Sequence, residues 1–144
     1  MTGLIKYPKR IKQLINYSGI QFDKIHPSDI DGVLEFDNRF LFLLEFKHIE
    51  RKHKSFKDFN RDGQNIMLKR IIDSWQYKDK KEGFVVYLYH KTKPHEDIMA
   101  EKTCVHGYYH KRQYYKIKMP LLDFLFEMGC KHDIEKITAE KRYI

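Results

Sequence analysis

The run FLFLLEF at residues 40–46 is the feature that most limits the fold, because nearly every side chain in it is apolar. Side chains alternate between the two faces of a strand, so Phe40, Phe42 and Leu44 lie on one face and Leu41 and Leu43 on the other. A strand with two apolar faces belongs inside a sheet that is covered on both sides. The run therefore predicts an interior strand of a layered α/β or α+β domain.

A second strand is predicted directly before this run, over residues 31–36. The residues that join the two strands are Asp37, Asn38 and Arg39, and both Asp and Asn tolerate tight-turn geometry. The two runs therefore predict an antiparallel hairpin that is symmetric about Asn38.

Helices and further strands are predicted on both sides of the hairpin. The sequence favours a helix over 9–17, a short edge strand over 19–25, an amphipathic helix over 62–77 and a buried strand over 84–90. Two short strands about a turn follow within 104–119, and then a helix that Pro120 opens and that closes near Gly129. No linker or repeat divides the 144 residues, so a single domain is expected.

The charge of the chain favours a polyanionic partner. The formal net charge is +8 and the isoelectric point about 9.3, and Lys and Arg side chains that contact phosphates release condensed counterions. Nucleic acid is expected rather than a membrane, since no segment approaches the roughly 18 apolar residues of a spanning helix and the N-terminus has no signal-peptide core. Two cysteines do not make a disulfide framework, so we expect reduced thiols and a cytoplasmic or nucleoid location.

Two charged side chains interrupt the apolar run near its end. Glu45 and Lys47 share one face, while Phe46 points to the other face and leaves its backbone carbonyl beside them. The hairpin symmetry places Asp31 opposite Glu45, and Asp29 has the same parity. Two carboxylates and a main-chain oxygen are hard ligands that suit Mg²⁺, with Lys47 placed to orient water or to stabilise phosphorane charge. A surface ion pair is the simpler alternative, but charges in an apolar strand are costly without a partner or a metal ion.

These segments resemble the PD-(D/E)XK nuclease superfamily, whose signature is an acidic residue, a hairpin of variable length and then (D/E)-x-K. Here PSDIDGVLEF supplies the first part, LLEFKH supplies the second, and DGQNIMLKRIIDSW resembles the helix that follows. The resemblance covers about residues 9–90. It implies a restriction-endonuclease-like αβββαβ core with a central mixed sheet flanked by helices, followed by a strand-and-helix extension over about 91–144.

The resemblance also implies roles for particular residues. The implied catalytic residues are Asp31, Glu45, Lys47 and Gln64, and the implied ligands of Mg²⁺, for which Mn²⁺ would substitute, are Asp31, Glu45 and the carbonyl of Phe46. Ser28 separates Pro27 from Asp29, so either Asp29 or Asp31 could be the ligand, although the register favours Asp31. The first predicted helix also lacks the glutamate that many members of the superfamily carry there.

Basic and aromatic residues predict contacts with the nucleic acid. Residues 47–61 form a basic stretch, and residues 108–118 interleave four tyrosines with four Lys or Arg. Such residues can contact phosphates and stack on bases, although a two-stranded ribbon with its tyrosines on the core side explains 108–118 equally well. The predicted contacts are His48, Arg51, Lys52, Lys54, Lys57, Arg61, Lys111 and Arg112.

A zinc site is not expected from the sequence. Cys104-x-His106 and Cys130-x-His132 have a one-residue spacing, which is tighter than the two to four residues typical of a zinc turn. The other histidines, His110 among them, follow no ligand spacing, and most of them are expected on the surface or in loops.

The resulting expectation is a small Mg²⁺-dependent DNA endonuclease that selects DNA structure rather than a strict sequence, similar in scale to resolvase-like and phage-encoded members of the superfamily. Two cuts on a duplex need two sites, which favours a homodimer. Two alternatives stay open: a non-catalytic nucleic-acid-binding or interaction module that retains the fold, and an RNA-directed nuclease.

Overall fold

The structure is a computed structural model that describes residues 16, 18–24, 28–49, 63–76 and 80–139. Its strands are β1 (Gly32–Phe36), β2 (Phe40–His48), β3 (Glu82–His90), β4 (Cys104–His110) and β5 (Gln113–Pro120). Its helices are α1 (Gly63–Trp75), α2 (Leu121–His132) and α3 (Glu135–Thr138), with a 3₁₀ turn at Ala100–Lys102. The class is α+β, with one open mixed sheet. This confirms the predicted α/β or α+β class.

The strands lie in the sheet in sequence order, from β1 at one edge to β5 at the other. The pairing of β2 with β3 is parallel and the other three pairings are antiparallel. Parallel neighbours need a crossover connection, and α1 lies within it. Gly32 pairs with Leu44 and Phe36 with Phe40, so the β1–β2 hairpin is symmetric about Asn38, as predicted.

Both faces of the sheet are covered, which confirms the prediction made from the two apolar faces of β2. On the first face, residues of α1 pack on alternate residues of β2 and β3; this layer includes Leu41, Leu43, Leu68, Ile72 and Val85. On the second face, α2 and α3 pack on the other residues of the same strands; this layer includes Phe42, Phe84, Val86, Phe124 and Ile137. The rings of Phe42 and Phe84 stack with centroids 4.6 Å apart.

The C-terminal part contains the predicted hairpin, β4–β5, with Lys111 and Arg112 at its turn. The prediction that α2 closes near Gly129 is wrong. The helix continues three residues further, to His132, and is capped by Asp133, whose φ of 58° lies in the left-handed region. Gly129 instead permits the close approach of α3, because a Cβ atom there would lie 2.7 Å from Cγ2 of Ile137.

The specific αβββαβ core is still a prediction. Its first helix, over 9–17, lies almost entirely outside the described residues. Residues 18–24 form turns with one bridging residue, Phe22, where the sequence favours a short edge strand. No helix in the described part of the chain has the length and apolar character to cross a bilayer.

Candidate active site

Asp31 and β2 are joined by a hydrogen bond between a carboxylate and the strand backbone. The N–H of Phe46 donates to Oδ2 of Asp31 over 2.8 Å. β1 begins at Gly32, opposite Leu44, and therefore stops short of Phe46. The side chain of Asp31 thus takes the position that the backbone of a longer strand would occupy, and it lies at the segment Glu45–Lys47.

The backbone carbonyl of Phe46 is directed toward the same place. In an extended strand the N–H and C=O of one residue point to the same side, since antiparallel pairs exchange both hydrogen bonds. The N–H of Phe46 points toward Asp31, so its carbonyl oxygen also faces the β1 side of β2. The carboxylate of Asp31 and the carbonyl oxygen of Phe46 therefore lie on the same side of β2.

Glu45 is a buried carboxylate that Gln64 holds in position. Its exposed fraction is 8 %, and its Oε2 accepts a hydrogen bond of 3.1 Å from Nε2 of Gln64, near the start of α1. The same Nε2 donates to the backbone carbonyl of Asp29 over 2.8 Å. Gln64 therefore links α1, the segment before β1 and the carboxylate on β2. Asp29 enters this arrangement through its backbone oxygen.

Lys47 lies on the same face of β2 as Glu45. Strand alternation places both on the face that α1 covers, along with Leu41 and Leu43. In the parallel pairing, Glu45 lies beside Tyr87 and Lys47 beside Tyr89. The face that carries the two charges is therefore continued by tyrosines of β3.

Further polar residues adjoin this site, and the sequence did not point to them. Tyr87, 2 % exposed, donates its hydroxyl hydrogen bond to Oδ1 of Asn65, 4 % exposed. Nδ2 of Asn65 donates to the hydroxyl of Tyr114 over 2.9 Å. Burial, followed by the influence of Tyr114, raises the pKa of Tyr87 far above its usual value. The signal that could have identified this network is an Asn on the apolar side of a helix, beside the predicted Gln64.

His106 and His90 also lie near the ends of these strands. His106 occupies the irregularity between Val105 and Gly107 of β4, and its ring meets that of Tyr89 edge-on with centroids 4.8 Å apart. The ring of His48, a predicted nucleic-acid contact, lies edge-on to His90 at 5.3 Å. Burial, with His48 as a second cause, lowers the pKa of His90.

The other predicted nucleic-acid contacts fall in two places. Arg51, Lys52, Lys54, Lys57 and Arg61 lie outside the described residues. Lys111 and Arg112 are at the opposite end of the sheet from Glu45, where they line an open cleft of about 610 Å³. Arg39, Lys80 and Lys81 also line it, with Asp73, Gln76 and Glu82. The cleft is basic, but it is separate from the acidic residues of the candidate site.

His110 is an exception to the expectation that most of these histidines lie on the surface or in loops. It is buried at the end of β4, and it comes close to Glu82 and His132, which are remote from it in sequence. His132 is therefore close to His110 and Glu82. This group of possible metal ligands, found among the described residues, includes neither Cys104 nor Cys130.

Comparison with protein-family models, with curated proteins and with solved structures finds no significant match to this chain. Membership of the nuclease superfamily is therefore a prediction that rests on the sequence motif and on the site geometry.

Proposed function

We propose that the chain is a Mg²⁺-dependent DNA endonuclease of the PD-(D/E)XK type. The observation that carries the proposal is the hydrogen bond from the Phe46 N–H to Asp31. It joins a carboxylate from before β1 to a strand segment that offers a second carboxylate, a main-chain oxygen and a lysine. The order of a hairpin, a crossover helix and a parallel strand also supports it, because the superfamily core has this order.

The donor atoms of this site suit a hard divalent cation. Asp31 and Glu45 supply carboxylate oxygens and Phe46 a carbonyl oxygen, the ligand types that Mg²⁺ prefers. The hydrogen bond from Phe46 is accepted by Oδ2 of Asp31, and Oδ1 is the atom that would contact the ion. When bound, Mg²⁺ polarises a phosphodiester and makes a nearby water easier to deprotonate. Glu45 is only 8 % exposed, and burial is costly for a carboxylate; a bound cation would offset that cost.

Lys47 and Gln64 have different roles in this proposal. The ammonium of Lys47 lies on the Glu45 face, where it would orient the attacking water or stabilise negative charge that develops on the phosphate. Gln64 donates a hydrogen bond to Glu45. We therefore assign it as a positioning residue that fixes the direction of the Glu45 carboxylate.

The basic cleft supports a nucleic-acid substrate. It lies near the C-terminal end of α1, whereas Gln64 and the acidic site lie near the N-terminal end. A helix of 13 residues is about 20 Å long at 1.5 Å per residue. A duplex whose phosphates contact both places would follow α1, with the phosphate near Lys47 cleaved and the cleft holding the backbone farther along.

The test compares isosteric variants of the acidic site on labelled branched, duplex and single-stranded DNA, each with Mg²⁺, Mn²⁺ or EDTA. Asp31→Asn and Glu45→Gln remove charge while keeping an oxygen that accepts the hydrogen bonds of Phe46 and Gln64. Lys47→Met removes the ammonium. Each should reduce the cleavage rate about 100-fold or more, the usual effect of removing one transition-state contact, and leave DNA binding within a few-fold.

Matched controls are Asp97→Asn and Lys93→Met, two exposed charges outside the site, which should cleave like the wild type. Cleavage that persists in both Glu45→Gln and Lys47→Met would refute the assignment of the site. Binding of DNA without metal-dependent cleavage of any substrate by the wild type would favour the non-catalytic module, and cleavage of RNA alone would favour the RNA-directed alternative.

A further inference from the structure

A second group of metal-ligating side chains lies away from the candidate active site. Glu82 is the first residue of β3, His110 the last of β4 and His132 the last of α2. One ligand atom from each lies within 4.8 Å of the others. Glu82 is five residues before Tyr87 on β3, and Tyr87 is the residue that pairs with Glu45 in the sheet. Glu82 is therefore about 16 Å from the Glu45 site along β3.

The two sites also lie on opposite faces of the sheet. On β3, Val85 and Tyr87 point to the face that α1 covers. Glu82 has the opposite parity, so it lies with Phe84 on the face that α2 and α3 cover. The acidic site lies on the face that α1 covers. Glu82 also lines the basic cleft, but none of the three residues of this group belongs to the acidic site, so metal binding here can be tested without a cleavage assay.

The distances within the group are close to those of a tetrahedral zinc site. Oε1 of Glu82 lies 3.5 Å from Nε2 of His110, and Oε2 of Glu82 lies 2.8 Å from Nδ1 of His132. Zinc bonds of about 2.0–2.1 Å in tetrahedral geometry put ligand atoms roughly 3.3–3.4 Å apart. Small rotations of the side chains would therefore place all three ligands around one ion.

The backbone fixes which nitrogen of His110 faces the carboxylate. Nδ1 of His110 lies 2.9 Å from the carbonyl oxygen of Gly83. A carbonyl oxygen accepts but cannot donate, so Nδ1 carries the hydrogen. In the neutral ring, Nε2 then has a lone pair that faces the oxygen of Glu82 at 3.5 Å, and either a proton or a metal ion between the two acceptors makes this contact favourable. A histidine whose second nitrogen donates to a backbone carbonyl is the usual arrangement of a metal ligand.

Aromatic rings enclose the group and hold its imidazoles. The ring of Phe84 stacks on His110 with centroids 4.1 Å apart and meets His132 edge-on at 5.4 Å. All three ligand side chains are largely buried. Lys111 reaches the edge of the group, with Nζ 3.2 Å from Oε1 of Glu82, but its side chain is 65 % exposed and can swing away.

We propose that Glu82, His110 and His132 bind one Zn²⁺ ion, with the fourth position open to water. Two imidazoles and one carboxylate suit Zn²⁺ rather than Mg²⁺, which prefers oxygen ligands. The bound ion links the start of β3, the end of β4 and the end of α2. It therefore links the C-terminal helices to the sheet and raises the free energy of unfolding, with the logarithm of the Zn²⁺ concentration once that exceeds Kd.

The test uses the full-length protein after removal of metal with EDTA. Titration with Co²⁺ should give one ion per chain and the visible absorption of four-coordinate cobalt, which Zn²⁺ then displaces. Zn²⁺ should raise Tm in a concentration-dependent way, whereas Mg²⁺ at the same concentrations should not reproduce this shift. These two measurements need no variant, so a variant that fails to fold does not decide the result.

Variants identify the ligands. His132→Ala, at the end of a helix, and Glu82→Gln should each weaken Zn²⁺ binding at least about 100-fold, beyond the 10–100-fold typical of a supporting residue. Lys111→Ala should bind Zn²⁺ as tightly as the wild type or more tightly, because this lysine competes for Glu82.

Three controls separate this site from others. His95→Ala removes an exposed histidine that pairs with Glu96, Cys130→Ser removes an exposed thiol, and Asp31→Asn removes a ligand of the acidic site; all three should keep the cobalt spectrum. The proposal is overturned if the wild type binds neither Co²⁺ nor Zn²⁺. Binding that survives both His132→Ala and Glu82→Gln would also overturn it.

Discussion

The substitution Tyr87→Phe tests how α1 is fixed to the sheet beside the acidic site. It removes one hydroxyl group and leaves the ring, so the packing of β3 is retained. Tyr87 and Asn65 are both almost fully buried, and the tyrosine hydroxyl donates to the amide oxygen of Asn65. Without that donor, a polar oxygen loses a hydrogen bond where water does not easily reach it.

The expected magnitude follows from that loss. An unsatisfied buried polar group costs about 1–3 kcal/mol, and for a chain of this size 1 kcal/mol corresponds to roughly 3 °C in Tm. We therefore expect the free energy of unfolding to fall by about 1–3 kcal/mol and Tm by about 3–9 °C. Urea denaturation and thermal melting, both followed by circular dichroism, measure the two quantities.

Tyr115→Phe is the matched control. Its hydroxyl donates to the side chain of Gln113, but both residues are exposed and water can replace either partner. The control should differ from the wild type by no more than about 0.5 kcal/mol. If Tyr87→Phe is as stable as Tyr115→Phe, the hydrogen bond to Asn65 does not stabilise the packing of α1 on the sheet.

Two other predictions concern pH and packing. Burial is the main cause that raises the pKa of Tyr87 and of Tyr109. Above about pH 10, the folded chain therefore keeps tyrosine protons that the unfolded chain loses. The free energy of unfolding should then fall as the pH rises beyond that value. Urea denaturation at a series of alkaline pH values should show a shallower decline for Tyr87→Phe, and an equal decline would contradict the assignment. Gly129→Ala should destabilise by about 1–2 kcal/mol, because the new Cβ would lie 2.9 Å from Cβ of Ile137 and overpacking outweighs the gain in helix propensity. Gly63→Ala, whose Cβ meets no described atom within 4 Å, should be neutral or stabilising in the same melts, and equal effects of the two substitutions would count against the clash.

The part of the fold nearest the acidic site could be predicted because its determinants are local. The two apolar faces of β2 require cover on both sides, and the turn at Asp37 and Asn38 fixes the register of the hairpin. Both turn residues have positive φ, of 56° and 57°, a conformation that Asp and Asn tolerate better than most residues. Once the register was set, the position of Asp31 relative to β2 followed from counting residues.

The features that could not be predicted depend on contacts between remote segments. Glu82, His110 and His132 come from a strand start, a strand end and a helix end, and no spacing along the chain relates them. Gly129 was read as a helix stop because glycine often has that role. In the structure the lack of a side chain matters instead, since Ile137 fills the space. In each case the tertiary neighbour decides the role of the residue.

The acidic site and the Glu82 group should respond to mutation independently of each other. Interactions more than about 7–10 Å apart without shared partners act almost independently, and the Glu45 and Glu82 sites are about 16 Å apart along β3 and on opposite faces of the sheet. Glu45→Gln should therefore abolish cleavage without changing the cobalt spectrum. His132→Ala should abolish the spectrum and lower Tm in Zn²⁺, yet retain cleavage in Mg²⁺ at temperatures where it is folded. Because β2 and β3 are adjacent parallel strands, a joint loss in both variants would mean that the sheet itself is disrupted, and circular dichroism of each variant detects that directly.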